Sequence, residues 1–271
     1  MDNIYLILLA LAASGAIGGF LAGVMGIGGG IILVPVLYTI FLFYGVNPDI
    51  LMHLAVATSL GVIIPTALSS ARAQYKRGAI NFEVIKGWGP SLMIGAVAAS
   101  LYSANLKSDV LALFFAVMAF IMGVKLFLPL DHKVISKTLP GRAFGGILGL
   151  FIGAAASLMG IGGATFSVPA MTLFSMPIHK AVGTASLLGL MVAIPGVIGF
   201  VISGQAAAGL PDYSLGFVNL LAVVIVAPVS VLVAPLGVAT SHKLPKRTLS
   251  LVFGGFLIIA ATRMAFPVLF P

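Results

Sequence analysis

Residues 25–35 read Met-Gly-Ile-Gly-Gly-Gly-Ile-Ile-Leu-Val-Pro, and residues 159–169 read Met-Gly-Ile-Gly-Gly-Ala-Thr-Phe-Ser-Val-Pro. The two stretches lie 134 residues apart and keep the same interval between glycine cluster and Val-Pro. Each cluster interrupts an apolar run, and the run that follows it, 31–44 or 164–175, is shorter than the roughly 20 residues needed to cross a bilayer. The pairs 4–25 with 31–44 and 143–159 with 164–175 are therefore expected to be broken or re-entrant helices whose loops sit inside the membrane. Irregular backbone survives at that depth only where protein or a watery cavity surrounds it.

Outward from these loops the duplication continues. His53-x-Ala55-Val56-Ala57-Thr58 corresponds to His179-x-Ala181-Val182-Gly183-Thr184. Gly78, Asn81 and Pro90 correspond to Gly216, Asn219 and Pro228, each 138 residues on. Leu106, Leu111, Phe115, Lys125 and Pro129 correspond to Leu244, Leu249, Phe253, Arg263 and Pro267 at that same offset. Apolar runs at 51–71, 84–102, 109–128, 181–203, 216–240 and 249–269 complete ten segments, five in each copy. An odd number makes the second copy enter the membrane from the opposite side, an inverted-topology repeat of the kind found in secondary transporters. The expected architecture is an all-α membrane protein of about ten transmembrane or re-entrant helical segments in two inverted-topology repeats of five. Its expected parts are a first repeat over 1–130, a cytoplasmic linker over 131–142 and a second repeat over 143–271, together one membrane domain.

Composition supports the membrane reading. Of 271 residues, 61% are hydrophobic and 7% charged, against about 25% charged in soluble domains. The net charge of +8 would suggest nucleic acid in a soluble chain, but here the basic residues sit in short gaps between apolar runs. One side of the membrane receives Arg72, Lys76, Arg77, Lys86, Lys133, Lys137, Arg142, Lys180, Lys243, Lys246 and Arg247. The other receives Asp2, Asp49, Asp109 and Asp212, with Lys107 its one clear basic loop residue. By the positive-inside rule the first side is cytoplasmic, so both termini are expected outside. No basic stretch precedes the first apolar run, so it reads as a retained helix rather than a cleaved leader.

The chemistry follows from the same motifs. Gly26, Gly28, Gly29 and Gly30, with Gly160, Gly162 and Gly163, let backbone approach another group closely. A helix starts after each cluster, so its free N–H groups and positive dipole end face the loop. Two such ends meeting near the midplane would hold an anion without a charged side chain. Thr58 and Ser59, with Thr184 and Ser186, could add hydroxyl donors, although membrane hydroxyls often bond their own i−4 carbonyl. Pro35 and Pro169 are expected in the first turns of their helices, where an N–H can be spared. His53, Arg72, Gln74 and His179 are candidates for the pathway, Arg72 being favoured on the cytoplasmic side. Apart from Asp109 at the very start of its segment, no Asp or Glu lies within any segment, which disfavours a cation cargo.

Several classes are excluded or disfavoured. Position 31 is Ile where a dinucleotide fingerprint needs glycine. With no cysteine, and no carboxylate near either histidine, no metal site or cofactor is expected. A serine hydrolase would need a nucleophile within reach of a base, and no GxSxG elbow precedes a helix, so no enzymatic activity is expected. Beyond its anionic cargo, the expected partner is the lipid bilayer, not nucleic acid.

The stretches GIGGGIILVPVL, HLAVATSL, QYKRGAINF, MGIGGATFSVPAM, KAVGTASLLG, SLGFVNLLAVVIVAPVSVLVAPLG and HKLPKRTLSLVF resemble the sulfite exporter TauE/SafE family over essentially the whole chain. That resemblance implies export of a small sulfur anion across a prokaryotic inner membrane: sulfite, thiosulfate or an organosulfonate such as sulfoacetate. Spacing alone does not separate these from another small anion, such as a carboxylate, moved by a transporter or channel. Ala164 stands where the first copy has Gly30, so the two loops are expected to contribute unequally.

Overall fold

The computed structural model describes residues 2–25, 30–128, 140–241 and 246–269. Ten α-helices appear in the order α1 (Asp2–Met25), α2 (Gly30–Phe43), α3 (Pro48–Lys76), α4 (Phe82–Tyr102), α5 (Ser108–Phe127), α6 (Arg142–Leu158), α7 (Ala164–Leu173), α8 (Ile178–Ser203), α9 (Leu220–Ser241) and α10 (Lys246–Leu269). Six apolar stretches among the described residues, in α3, α4, α5, α8, α9 and α10, are long enough to cross a membrane. The chain is an all-α membrane protein.

Local chemistry sets several boundaries. Asn47 caps α3 by accepting from the Asp49 N–H at 3.0 Å, with Pro48 pre-set for the first turn. Asn81 caps α4 by accepting from Glu83 and Val84 N–H at 2.9 and 3.2 Å. Asp49, Glu83 and Asp109 all occupy first turns, where a carboxylate meets the positive end of the helix dipole. One expectation needs correcting: the run from 216 does not begin as a helix. A hairpin pairs Ser214–Leu215 with Val218–Asn219, and α9 starts only at Leu220. Pro35 and Pro169 stand in the second turns of α2 and α7 rather than the first.

The apolar window of α3 is 78% buried, more than that of any other candidate span, and this helix is the hub. It packs against α2, α5, α8 and α9. Around it α1 lies on α9, α6 on α4, and α5 on α10. Glycine makes the first two contacts possible. A Cβ on Gly15 or Gly19 of α1 would fall 2.8 or 2.5 Å from the Val226 or Ser230 carbonyl of α9. On α6, a Cβ on Gly149 would lie 2.6 Å from the Trp88 carbonyl of α4, and one on Gly153 would meet the Leu92 carbonyl. The glycines of these pairs are 134 apart and the carbonyls 138 apart, the two offsets of the sequence duplication.

α2 and α7 start halfway along α3, against Ile63. A Cβ on Gly30 would sit 2.7 Å from Ile63 Cδ1, and one on Gly162 3.0 Å from Ile63 Cγ2. The second break is well formed. α6 ends with Gly160 at φ +66°, its N–H donating to Ser157 O and the next N–H, of Ile161, to Ala156 O. This left-handed cap satisfies two carbonyls that a helix end would otherwise orphan. Gly163, at φ +70°, then turns the chain into α7.

A candidate anion cavity

A cavity of about 450 Å³ runs between α1, α3, α8 and α9 and ends at the break before α7. Its α3 wall carries Thr66, Ser70 and Gln74, spaced four residues apart on one face of the helix, followed three residues on by the C-cap residue Arg77. From Ile63 at the floor to Arg77 is 14 residues, or about 21 Å of helix. The floor also includes Gly162, Ala164 and Gly189. Among the described residues no carboxylate lines the space, and Arg77 is its one formal charge. The Arg77 side chain makes no hydrogen bond or ion pair among the described residues.

Polar groups at the floor, where Ala164 lines the cavity, and just behind it are incompletely paired. The N–H groups of Phe166 and Ser167 both donate to Gly163 O, at 3.1 and 2.8 Å. Those of Ala164 and Thr165 belong to the first turn of α7, which has no intrahelical acceptors to offer. Ser167 is fully buried and its hydroxyl finds no hydrogen-bond partner among the described residues. It lies 3.9 Å from where a Cβ on Gly163 would stand, turned back toward the start of its helix. The equivalent end of α2 is used differently. There the Gly160 carbonyl lies 2.7 Å from a Cβ on Gly30, and this same carbonyl accepts from Ser59 Oγ at 2.8 Å. The two helix starts converge, but a backbone oxygen sits at one of them.

The remaining residues singled out from the sequence separate into groups. Gly162, Ser186 and Gln74 line the cavity with Gly189 and Ser230, whereas Gly160, Gly163, Ser59 and Gly30 stand behind its floor. Gly26, Gly28 and Gly29 lie outside the described residues. Arg72 is exposed and not part of the lining; Arg77, five residues later, occupies the cavity face. His179 is exposed, whereas His53 is buried, donating through Nε2 to the Ser103 carbonyl at 2.9 Å and stacking on Phe217 at 4.8 Å.

Thr58 and Thr184 are both fully buried and face the opposite half of the chain. Thr58 Oγ1 accepts from the Asn219 N–H at 3.0 Å; Thr184 Oγ1 accepts from the Asn81 N–H at 2.9 Å and donates to Lys180 O at 2.7 Å. Each asparagine meanwhile caps the helix that follows it, Asn219 accepting from Ala222 N–H at 2.8 Å. The threonine of one half thus fixes a helix start of the other. Asn81 and Asn219 were visible as repeat-matched positions; their role was missed because an N-cap pattern does not reveal what its own N–H meets. Thr66, Ser69, Ser70, Arg77 and Ser230 were also missed, although the Thr66–Ser70–Gln74–Arg77 spacing was available to find most of them.

The profile of the sulfite exporter TauE/SafE family matches residues 11–264. A probable membrane transporter of Haemophilus influenzae is 35% identical over 261 residues, covering 95% of this chain and 97% of the relative. The probable membrane transporter YunE of Bacillus subtilis is 28% identical, with 96% and 98% covered. A probable membrane transporter of Methanocaldococcus jannaschii is 26% identical, with 93% of each chain covered. No solved structure matches the chain. By its matched length, its helices and these relatives, the chain belongs to the sulfite exporter TauE/SafE family and is a multi-pass membrane transporter.

Proposed function

We propose that this chain exports a small sulfur-containing anion, sulfite, thiosulfate or an organosulfonate, across a prokaryotic inner membrane, binding it in the cavity between α3 and α8. The observation that carries the reading is the presence in one cavity of Arg77, whose side chain has no partner among the described residues, and of a floor at Ala164, whose N–H lies in the first turn of α7. Such a path attracts negative charge at its mouth and offers donors at its base. With Arg77 on the basic side, the mouth is cytoplasmic and both termini are outside, which suits loading for export. We also read the two halves as inverted repeats. The reciprocal Thr–Asn bonds and the matching glycine contacts support that arrangement. Among anions the lining has no group peculiar to sulfur, which is the one reason to keep a carboxylate as second reading.

The test is flux in proteoliposomes with a panel of anions and cations, using the cysteine-free parent and a Ser186→Cys variant. Sulfur anions should move, cations should not, and a thiol reagent added to the cytoplasmic face should block the variant alone. Cation flux, or full flux after Ser186→Cys is modified, would refute the assignment of this cavity as the path.

A further inference from the structure

α5 and α10 pack chiefly on each other, and at one point they meet backbone to backbone. A Cβ on Gly123 would lie 3.1 Å from the Gly254 carbonyl, and one on Gly254 3.0 Å from the Gly123 carbonyl. Away from that crossing the seam opens into a groove of about 330 Å³ lined by Leu113, Val117, Ile121, Ala261, Ala265 and Leu269 among others. Ala116 and Ala261 are buried, whereas Val117 and Ile121 are about half exposed, so short side chains form the floor and longer ones the rim. Thr262 brings the one hydroxyl of the lining, and it donates to Ile258 O at 2.8 Å. The groove therefore offers hydrocarbon contact and no free side-chain donor.

Charge gathers at one end of it. On α5, Leu113, Val117 and Ile121 recur every four residues, and the next residue in that stripe is Lys125. Lys125 is exposed and makes no hydrogen bond or ion pair among the described residues. Arg247, at the start of α10, reaches the same end of α5. Its guanidinium donates to Phe127 O at 2.9 Å, with donors of the fork to spare. Neither helix brings an acid to this end: α10 carries none, and Asp109 stands in the first turn of α5. From Lys125 to Leu113 is 12 residues, or about 18 Å of helix, close to the roughly 15 Å of one hydrocarbon leaflet.

A lysine near a helix end reaches for the headgroups by default; what distinguishes Lys125 is the groove that ends on it. We infer that this groove binds an anionic phospholipid of the leaflet on the basic side. One acyl chain lies along Leu113, Val117 and Ile121, and Lys125 and Arg247 hold the phosphate. A second copy of this chain is the poorer occupant, because a two-fold axis along the membrane normal would set both cations beside their own images. The site stands on other helices than the anion cavity and does not depend on what that cavity carries.

The test is lipid retention by the full chain, read by native mass spectrometry. Protein purified in detergent would be titrated with phosphatidylglycerol or phosphatidylcholine of the same acyl chains. One phosphatidylglycerol per chain should stay bound, at least fivefold tighter than phosphatidylcholine. A cation near an anionic headgroup is worth about fivefold, so Lys125→Gln should lose about that much and Lys125→Arg should restore it. Val117→Trp, with Ala265→Phe from the facing helix as a second variant, should expel the lipid while the protein stays monodisperse. Arg263→Gln, toward the other end of α10, should retain it. Equal retention of the two lipids, or loss with Arg263→Gln rather than Lys125→Gln, overturns the inference. Retention that both groove variants leave unchanged also overturns it, as does a lipid-free dimer that those variants dissociate.

Discussion

Replacing Thr184 by valine keeps the shape of the side chain and removes its hydroxyl, and the structure says what is lost. Asn81 N–H, which donates to Thr184 Oγ1 at 2.9 Å, loses its acceptor at a part-buried site 103 residues away in sequence. The Lys180 carbonyl also loses the hydroxyl that reached it at 2.7 Å, but that oxygen still has a helical partner. An orphaned buried donor costs about 1–3 kcal/mol, so folded-state stability should fall roughly 5- to 150-fold. Thr58→Val should cost a similar amount by orphaning the Asn219 N–H, which lies in a residue only 6% exposed. The two sites share no partner, so the double variant should lose about the sum. The assay is equilibrium unfolding in mixed micelles, with substrate affinity measured on the folded fraction. Serine at either position restores the oxygen and should recover most of the loss. Unchanged stability together with a tenfold loss of affinity for Thr184→Val would refute the structural role of the Thr184–Asn81 bond and put the hydroxyl on the anion instead.

The mouth of the cavity gives a second expectation: Arg77→Gln should raise KM several-fold, most at low ionic strength, while Arg72→Gln stays near the parent, since Arg72 is outside the lining. Steady-state uptake at two salt concentrations checks this. Gly153→Ala should fail to accumulate as folded protein, because its Cβ would fall on the Leu92 carbonyl, whereas Gly87→Ala, with nothing within 4 Å, should be tolerated; monodispersity on size exclusion separates the two. Finally, an impermeant thiol reagent applied to whole cells should label a cysteine at Asn47 and miss one at Lys86, and the reverse would overturn the orientation.

Much of this architecture is written locally in the chain. Glycine clusters and prolines punctuate apolar runs, so α2 starts on the last glycine of its cluster, at 30, and α7 directly after its own, at 164. The hairpin at Ser214–Asn219 was not legible, because a short apolar run has the same periodic signature whether strand or helix. For the candidate site, the sequence reading favours Arg72, whereas the arginine in the cavity lining is Arg77. Arg72 and Arg77 are five residues apart, about 140° around a helix, and α3 is apolar on nearly every face of its membrane portion. Which face meets open space depends on where α1 and α9 stand, a tertiary fact. The threonines were legible as buried and duplicated, but their partners lie 161 and 103 residues away. No local pattern carries that distance.

Those distances also set an order in time. Thr58 leaves the ribosome 161 residues before Asn219, which at about 5–20 residues per second is a wait of roughly 8–32 s. Through that interval α1 lacks α9, the face it will cover, and its glycine stripe lies bare to lipid or to whatever insertion machinery attends it. The nascent first half therefore carries an unfilled helix face until the second half arrives. A slow codon or a pause before residue 220 would lengthen the exposure, and premature termination there would leave a half-made protein marked for proteolysis by its unfilled helix contacts.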